Sequence, residues 1–183
     1  ELAKVLNLLL HYSIRRLICE IGSNSLRGLY KTLYSRIFAR EENKVHYYDA
    51  IVSFMLQMTS KDAIPSDADF VQALKERNLY RKNALCKYIL ATIENQGKEK
   101  LVMDNLTIEH IMPQHLTPAW NEILGANAAE IHATWLHRLA NLTLTGYNPS
   151  LSNNTFIEKR DAKEGGYKAS GLKMNQKISM KTK

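Results

Sequence analysis

Four of the six histidines in this chain fall between residues 110 and 137, at His110, His115, His132 and His137. Glu109 stands directly before the first of them, in the stretch "LTIEHIMPQH", and Asn141, Asn148, Asn153 and Asn154 follow. Imidazoles transfer protons near neutral pH. A carboxylate beside an amide oxygen suits a hard cation such as Mg²⁺ or Mn²⁺. The set therefore points to acid–base chemistry, with or without a metal.

Several chemistries are excluded. A zinc peptidase needs HExxH or HxxEH on a helix. Glu109-His110 has the order of the second, but position 106 is Leu, and Pro113 opposes a helix there. A serine or cysteine hydrolase needs a nucleophile elbow or a cysteine in a reactive context, and neither is visible. Cys19 and Cys86 lie far apart with no CxxC, which argues against a disulfide framework and a cysteine-built zinc site. A reducing, cytoplasmic setting is the expectation.

One-metal phosphodiester hydrolysis fits better. It needs a base to deprotonate water, a divalent cation to neutralise developing charge, and positioning groups. Neighbouring strand residues point to opposite faces. Glu109 and His110 can then share a site only if the strand end bends, and Pro113 gives a reason for a bend.

The ordered segments "IEHIMPQ" and "LHRLANLTLTGYNPSLSNNTFIEKR" resemble the HNH (His-Me finger, ββα-metal) endonuclease pattern. There a D/E-H-I-x-P strand precedes an N-L-x-L strand, and an asparagine or histidine then enters a helix. More narrowly, "IRRLICEIGSNSLRGLY", "PSDADF" and "GGYKASGLKMN" are similar to the C-terminal nuclease domain of GmrSD-type modification-dependent restriction enzymes. The resemblance implies His110 as the general base and Glu109 and Asn148 as metal ligands. It implies Asn141 as the catalytic-motif asparagine that fixes the loop between the strands. Lys159 and Arg160 would hold phosphate oxygens. His115 and His137 are read apart from the resemblance, either as contacts to phosphate or to the groups around the site, or as structural histidines. The resemblance implies Mg²⁺ or Mn²⁺ as cofactor, DNA as substrate, and an N-terminal NTPase domain or subunit as partner. Ala140 stands where the pattern leads one to expect glycine, a strained position if φ is positive there.

The elements that must position these residues follow from periodicity. Residues 1–100 read as successive helices. "LAKVLNLLLHYSIRRLICEI" carries apolar residues on more than one face and predicts a well-buried helix. Ser66 is the expected N-cap of "DADFVQALKERN", with Asp67 and Asp69 favourable to its dipole. The character changes after Gly97-Lys98. "LTIEHIM" predicts a strand, "PAWNEILG" and "NAAEIHATWLHRLA" predict helices, and "NLTLTGY" predicts a second strand. "NPSLSNN" is turn-forming. "TFIEKRDAKEGG" predicts a helix closed by a glycine pair, capped by Asn153 or Asn154. Trp120 and Trp135 are expected in the core, and His132 at the surface. The fold class is α+β, mostly α: a helical domain over residues 1–100, then an HNH nuclease domain over 101–183 with a basic C-terminal tail.

The totals agree with this class. The chain has 183 residues, enough to bury a real core, and no apolar run of the ~18 residues that suggest a membrane helix. It begins at Glu1 rather than Met and reads as a piece of a longer protein. Net charge is +7, and residues 157–183 hold eight basic side chains against three acidic ones. That end is a candidate for a polyanion, or else a solvated tail. Two other readings use the same residues: a non-catalytic binding module on a degenerate HNH scaffold, and a toxin-like nuclease acting on RNA.

Overall fold

The computed structural model describes residues 1–97, 100–102 and 104–181. It is mostly helical, and the described residues form a single two-stranded antiparallel sheet. The chain divides into two compact units, Glu1–Leu74 and Lys75–Lys183. This division differs from the one expected after residue 100; the predicted change at Gly97-Lys98 involves Lys98, which lies outside the described residues.

The first unit holds α1 (Leu2–Ile18), α2 (Asn24–Phe38), α3 (Tyr47–Leu56) and the start of α4 (Asp67–Glu76). Val5, Tyr12, Leu33, Ile37, Ile51 and Met55 form its core. The Tyr12 hydroxyl donates to the Asp62 carbonyl at 2.6 Å, so this core tyrosine keeps its polar end satisfied. α1 is not buried all round: Leu2, Leu6, Leu10 and Leu17 are exposed. Its apolar residues wrap more than one face, but only the face carrying Val5 and Tyr12 joins the core. Ser66 caps α4 as expected, its Oγ accepting from the Asp69 backbone N–H at 3.1 Å.

The second unit is built on α5 (Asn83–Glu94), whose Cys86, Ile89 and Leu90 are buried. α5 packs on both strands, β1 (Thr107–His110) and β2 (Leu142–Thr145), which is why it belongs to this unit. The strands pair antiparallel, with Ile108 opposite Leu144, Glu109 opposite Thr143 and His110 opposite Leu142. Leu90 and Leu144 are almost wholly buried; each such side chain contributes roughly 1.5–3 kcal/mol.

Between the strands run α6 (Pro118–Leu124) and α7 (Ala128–Trp135). Thr117 caps α6, and Trp120 is buried with its indole N–H donating to the Asn154 carbonyl at 3.0 Å. α7 is shorter than predicted, and Trp135 is 44% exposed rather than in the core; the Arg138 guanidinium lies over its ring. After β2 come α8 (Asn148–Leu151), a helical turn where a loop is expected, and α9 (Phe156–Asp161). Thr155, not Asn153 or Asn154, caps α9 through a capping box with Glu158.

The basic C-terminal segment is folded up to the last described residues. α10 (Lys173–Ser179) has no side-chain cap of its own. The buried Glu94 carboxylate supplies one from α5, accepting the Lys173 and Met174 backbone N–H groups at 2.7 and 2.9 Å. Asn175 then ties α10 to β2, donating to the Leu144 carbonyl at 3.0 Å. Among the described residues no helix is long and apolar enough to cross a membrane.

Candidate active site

His110 ends β1, and the chain around it is held from three directions. Asn141, at the start of the opposing strand, clamps the loop that leaves β1. Its Oδ1 accepts from the Met112 N–H at 2.7 Å, and its Nδ2 donates to the carbonyls of Met112 and Leu136, both at 2.9 Å. The Ile111 N–H donates to the Asn141 carbonyl at 2.9 Å, extending the ladder one step beyond His110. Every polar atom of the Asn141 side chain is thus used within the fold. Asn141 is a clamp on this part of the chain. Ala140, in the one-turn 3₁₀ segment Leu139–Asn141, is not among the described residues with positive φ, so alanine is unstrained there.

The second hold is Lys159, from α9. Its ammonium donates to the His110 carbonyl at 2.7 Å and to the Glu109 carboxylate at 2.6 Å. The Lys159 side chain is 0% exposed and that of Glu109 is 3% exposed. Burial pushes the carboxyl up and the ammonium down, and their attraction opposes both shifts. The Lys159 ammonium is thus enclosed in the fold rather than presented at the surface. Arg160 beside it is paired with Asp161 through two hydrogen bonds, at 3.0 and 2.8 Å. These bonds use its Nε and one of its terminal nitrogens.

The third hold is aromatic. His110 Nε2 lies 3.2 Å from His137 Nδ1. The Tyr80 ring stacks on His137 with an interplanar angle of 8° and meets His110 edge-on with centroids 4.5 Å apart. The Leu79 N–H donates to the His137 carbonyl at 3.2 Å, fixing the backbone that carries the second imidazole. His110 is buried, and burial, with the nearby His137, Lys159 and His132, lowers its pKa from 6.5 to about 4. It is a neutral imidazole at pH 7, the form a general base requires.

The strand does not bring Glu109 and His110 to one site. β1 keeps its alternation up to His110, with Glu109 facing Lys159 and His110 facing Tyr80 and His137. Pro113 bends the chain only after both, and its carbonyl lies 2.9 Å from His132 Nε2. Asn148 opens α8 with its Nδ2 donating to the Ile108 carbonyl at 2.9 Å and Thr107 Oγ1 at 3.2 Å. His115 is exposed in the loop before α6.

Of the two predicted ligands, Glu109 as placed does not fit a divalent cation, and Asn148 makes its bonds through Nδ2 rather than through its amide oxygen. Glu109 is neutralised by a buried ammonium at hydrogen-bond distance, and Asn148 braces the edge of β1. No group of three or more His, Cys, Asp or Glu side chains among the described residues is arranged to hold a metal ion.

Two site residues carry no local sequence signal. Tyr80 lies thirty positions before His110, outside any motif. Tyr167, wholly buried with an unpartnered hydroxyl, lies close enough to the Glu109 charge for its own pKa to be raised, although burial is the larger cause.

A family model described as the C-terminal domain of GmrSD restriction endonucleases matches residues 64–183. No curated protein and no solved structure matches the chain.

Proposed function

The chain belongs to the family of GmrSD restriction endonuclease C-terminal domains, and on that premise we propose that it is an HNH-type endonuclease hydrolysing DNA phosphodiester bonds in defence against foreign DNA. The observation that carries this reading is the placement of His110 at the end of β1, with its Nε2 3.2 Å from His137 Nδ1. The order strand, strand, helix, with Asn148 opening the helical part, supports the HNH assignment.

In this reading His110 takes a proton from water as the water oxygen bonds to phosphorus. The bond from phosphorus to the 3′ oxygen breaks, and solvent protonates the leaving oxygen. Asn141 and Lys159 contribute by fixing where the His110 backbone lies. Dependence on Mg²⁺ or Mn²⁺ is supported by the family alone, since the Glu109 carboxylate is held by Lys159. Control by an NTPase domain or subunit rests on the sequence resemblance.

A second reading has its own observation. Burial of both Glu109 and His110 favours a binding module on an HNH scaffold. Nicking of supercoiled plasmid by the wild-type chain and by His110→Ala separates the two. A nuclease loses roughly 10²–10⁴-fold in rate without its base; a binding module retains DNA affinity in both forms and cleaves with neither.

A further inference from the structure

Resting on the nuclease reading, we propose that His137 is a positioning residue that sets the tautomer of His110, accepting its Nε2–H and so leaving Nδ1 as the nitrogen that takes the proton from water. A neutral imidazole has one donor and one acceptor nitrogen, and the hydrogen bond made by one decides the state of the other. The 3.2 Å contact joins His110 Nε2 to His137 Nδ1, so only two arrangements exist. In one, His110 donates and keeps a lone pair on Nδ1. In the other, His137 donates, and His110 then carries its proton on Nδ1 and has no lone pair left for water.

The first arrangement puts both rings in the Nε2–H tautomer, the one a free neutral histidine prefers. The second requires the less favoured form in both rings at once. Tyr80 packs against both rings, flat on His137 and edge-on to His110, and so favours the ring planes in which the two nitrogens meet. Leu79, buried next to Tyr80, anchors the His137 backbone through its N–H.

The direction of the bond is testable with substitutions at one position. Aspartate places an acceptor oxygen where Nδ1 stands and cannot donate. Lysine can only donate, and leucine does neither. The expected result is that His137→Asp cleaves plasmid within about tenfold of wild type, while His137→Lys and His137→Leu lose about 100-fold in kcat with little change in KM. Equal losses in Asp, Lys and Leu variants that remain folded overturn the proposal.

A long-range proton–nitrogen correlation spectrum of the ¹⁵N-labelled chain at neutral pH decides the same point without reference to cleavage. A protonated Nε2 and a lone-pair Nδ1 on His110 are expected, with the preference lost in His137→Leu. A protonated Nδ1 in the wild-type chain overturns the proposal, even if the protein cuts DNA. Failure of the nuclease reading and failure of this inference are therefore told apart.

Discussion

The Lys159 ammonium bridges the Glu109 carboxylate and the His110 carbonyl, at 2.6 and 2.7 Å, inside a site closed to solvent. One buried cation thus neutralises the acid before the histidine and fixes the strand end that carries the histidine. Removing either partner leaves a buried charge alone, which costs about 3–5 kcal/mol. Glu109→Gln and Lys159→Met should each lower the unfolding free energy obtained from urea melts by that amount, and the double variant Glu109→Leu/Lys159→Met should recover most of it. If Glu109 were a metal ligand, Glu109→Gln would weaken Mn²⁺ binding and leave apo stability largely intact.

The lowered pKa of His110 makes stability depend on pH. In the unfolded chain the imidazole titrates near 6.5, and in the folded chain near 4. Below about pH 6.5 the unfolded state therefore binds the extra proton first. The stabilising contribution is complete above that value and is lost as pH falls through about 4. Its size is about 1–3 kcal/mol once solvent screening is allowed for. Urea unfolding at pH 7 and pH 4.5 should show this fall in wild type and a smaller one in His110→Gln.

Asn141 holds three backbone groups, the Met112 N–H and carbonyl in the loop leaving β1 and the Leu136 carbonyl at the end of α7. Asn141→Ala strands the Met112 N–H and two carbonyls in a buried place, at a cost of roughly 2–4 kcal/mol. Thermal unfolding should show a clear drop in Tm. Cleavage should fall as well, because the end of β1 moves with the loop.

Glu94 caps α10 from another helix. Glu94→Ala should free the start of that helix, costing about 1–2 kcal/mol. Hydrogen exchange should report the loss first at the Lys173 and Met174 amides, with the β1–β2 ladder protected until global unfolding.

The strands are legible in the sequence because "LTIEH" and "NLTLT" concentrate β-branched residues beside turn signals. The helices of the first unit are legible from their spacing, although spacing alone does not tell that the outer face of α1 stays exposed. The candidate base is legible because histidine and asparagines occur in a fixed order. The environment that makes His110 neutral is not. Lys159 is fifty positions from Glu109, and nothing near either residue says they meet. The same holds for Tyr80, which precedes α5 and meets His110 and His137 only in the folded chain. α10 is obscured by its lysines, which read as a solvated tail until Glu94 and Asn175 are seen to bind it.

The most direct test is plasmid nicking by the purified chain with Mg²⁺ or Mn²⁺, comparing wild type with His110→Ala at equal stability. Cleavage by the wild type and a loss of roughly 100-fold or more in the variant are expected. Equal cleavage by both, or none by the wild type, contradicts the nuclease reading.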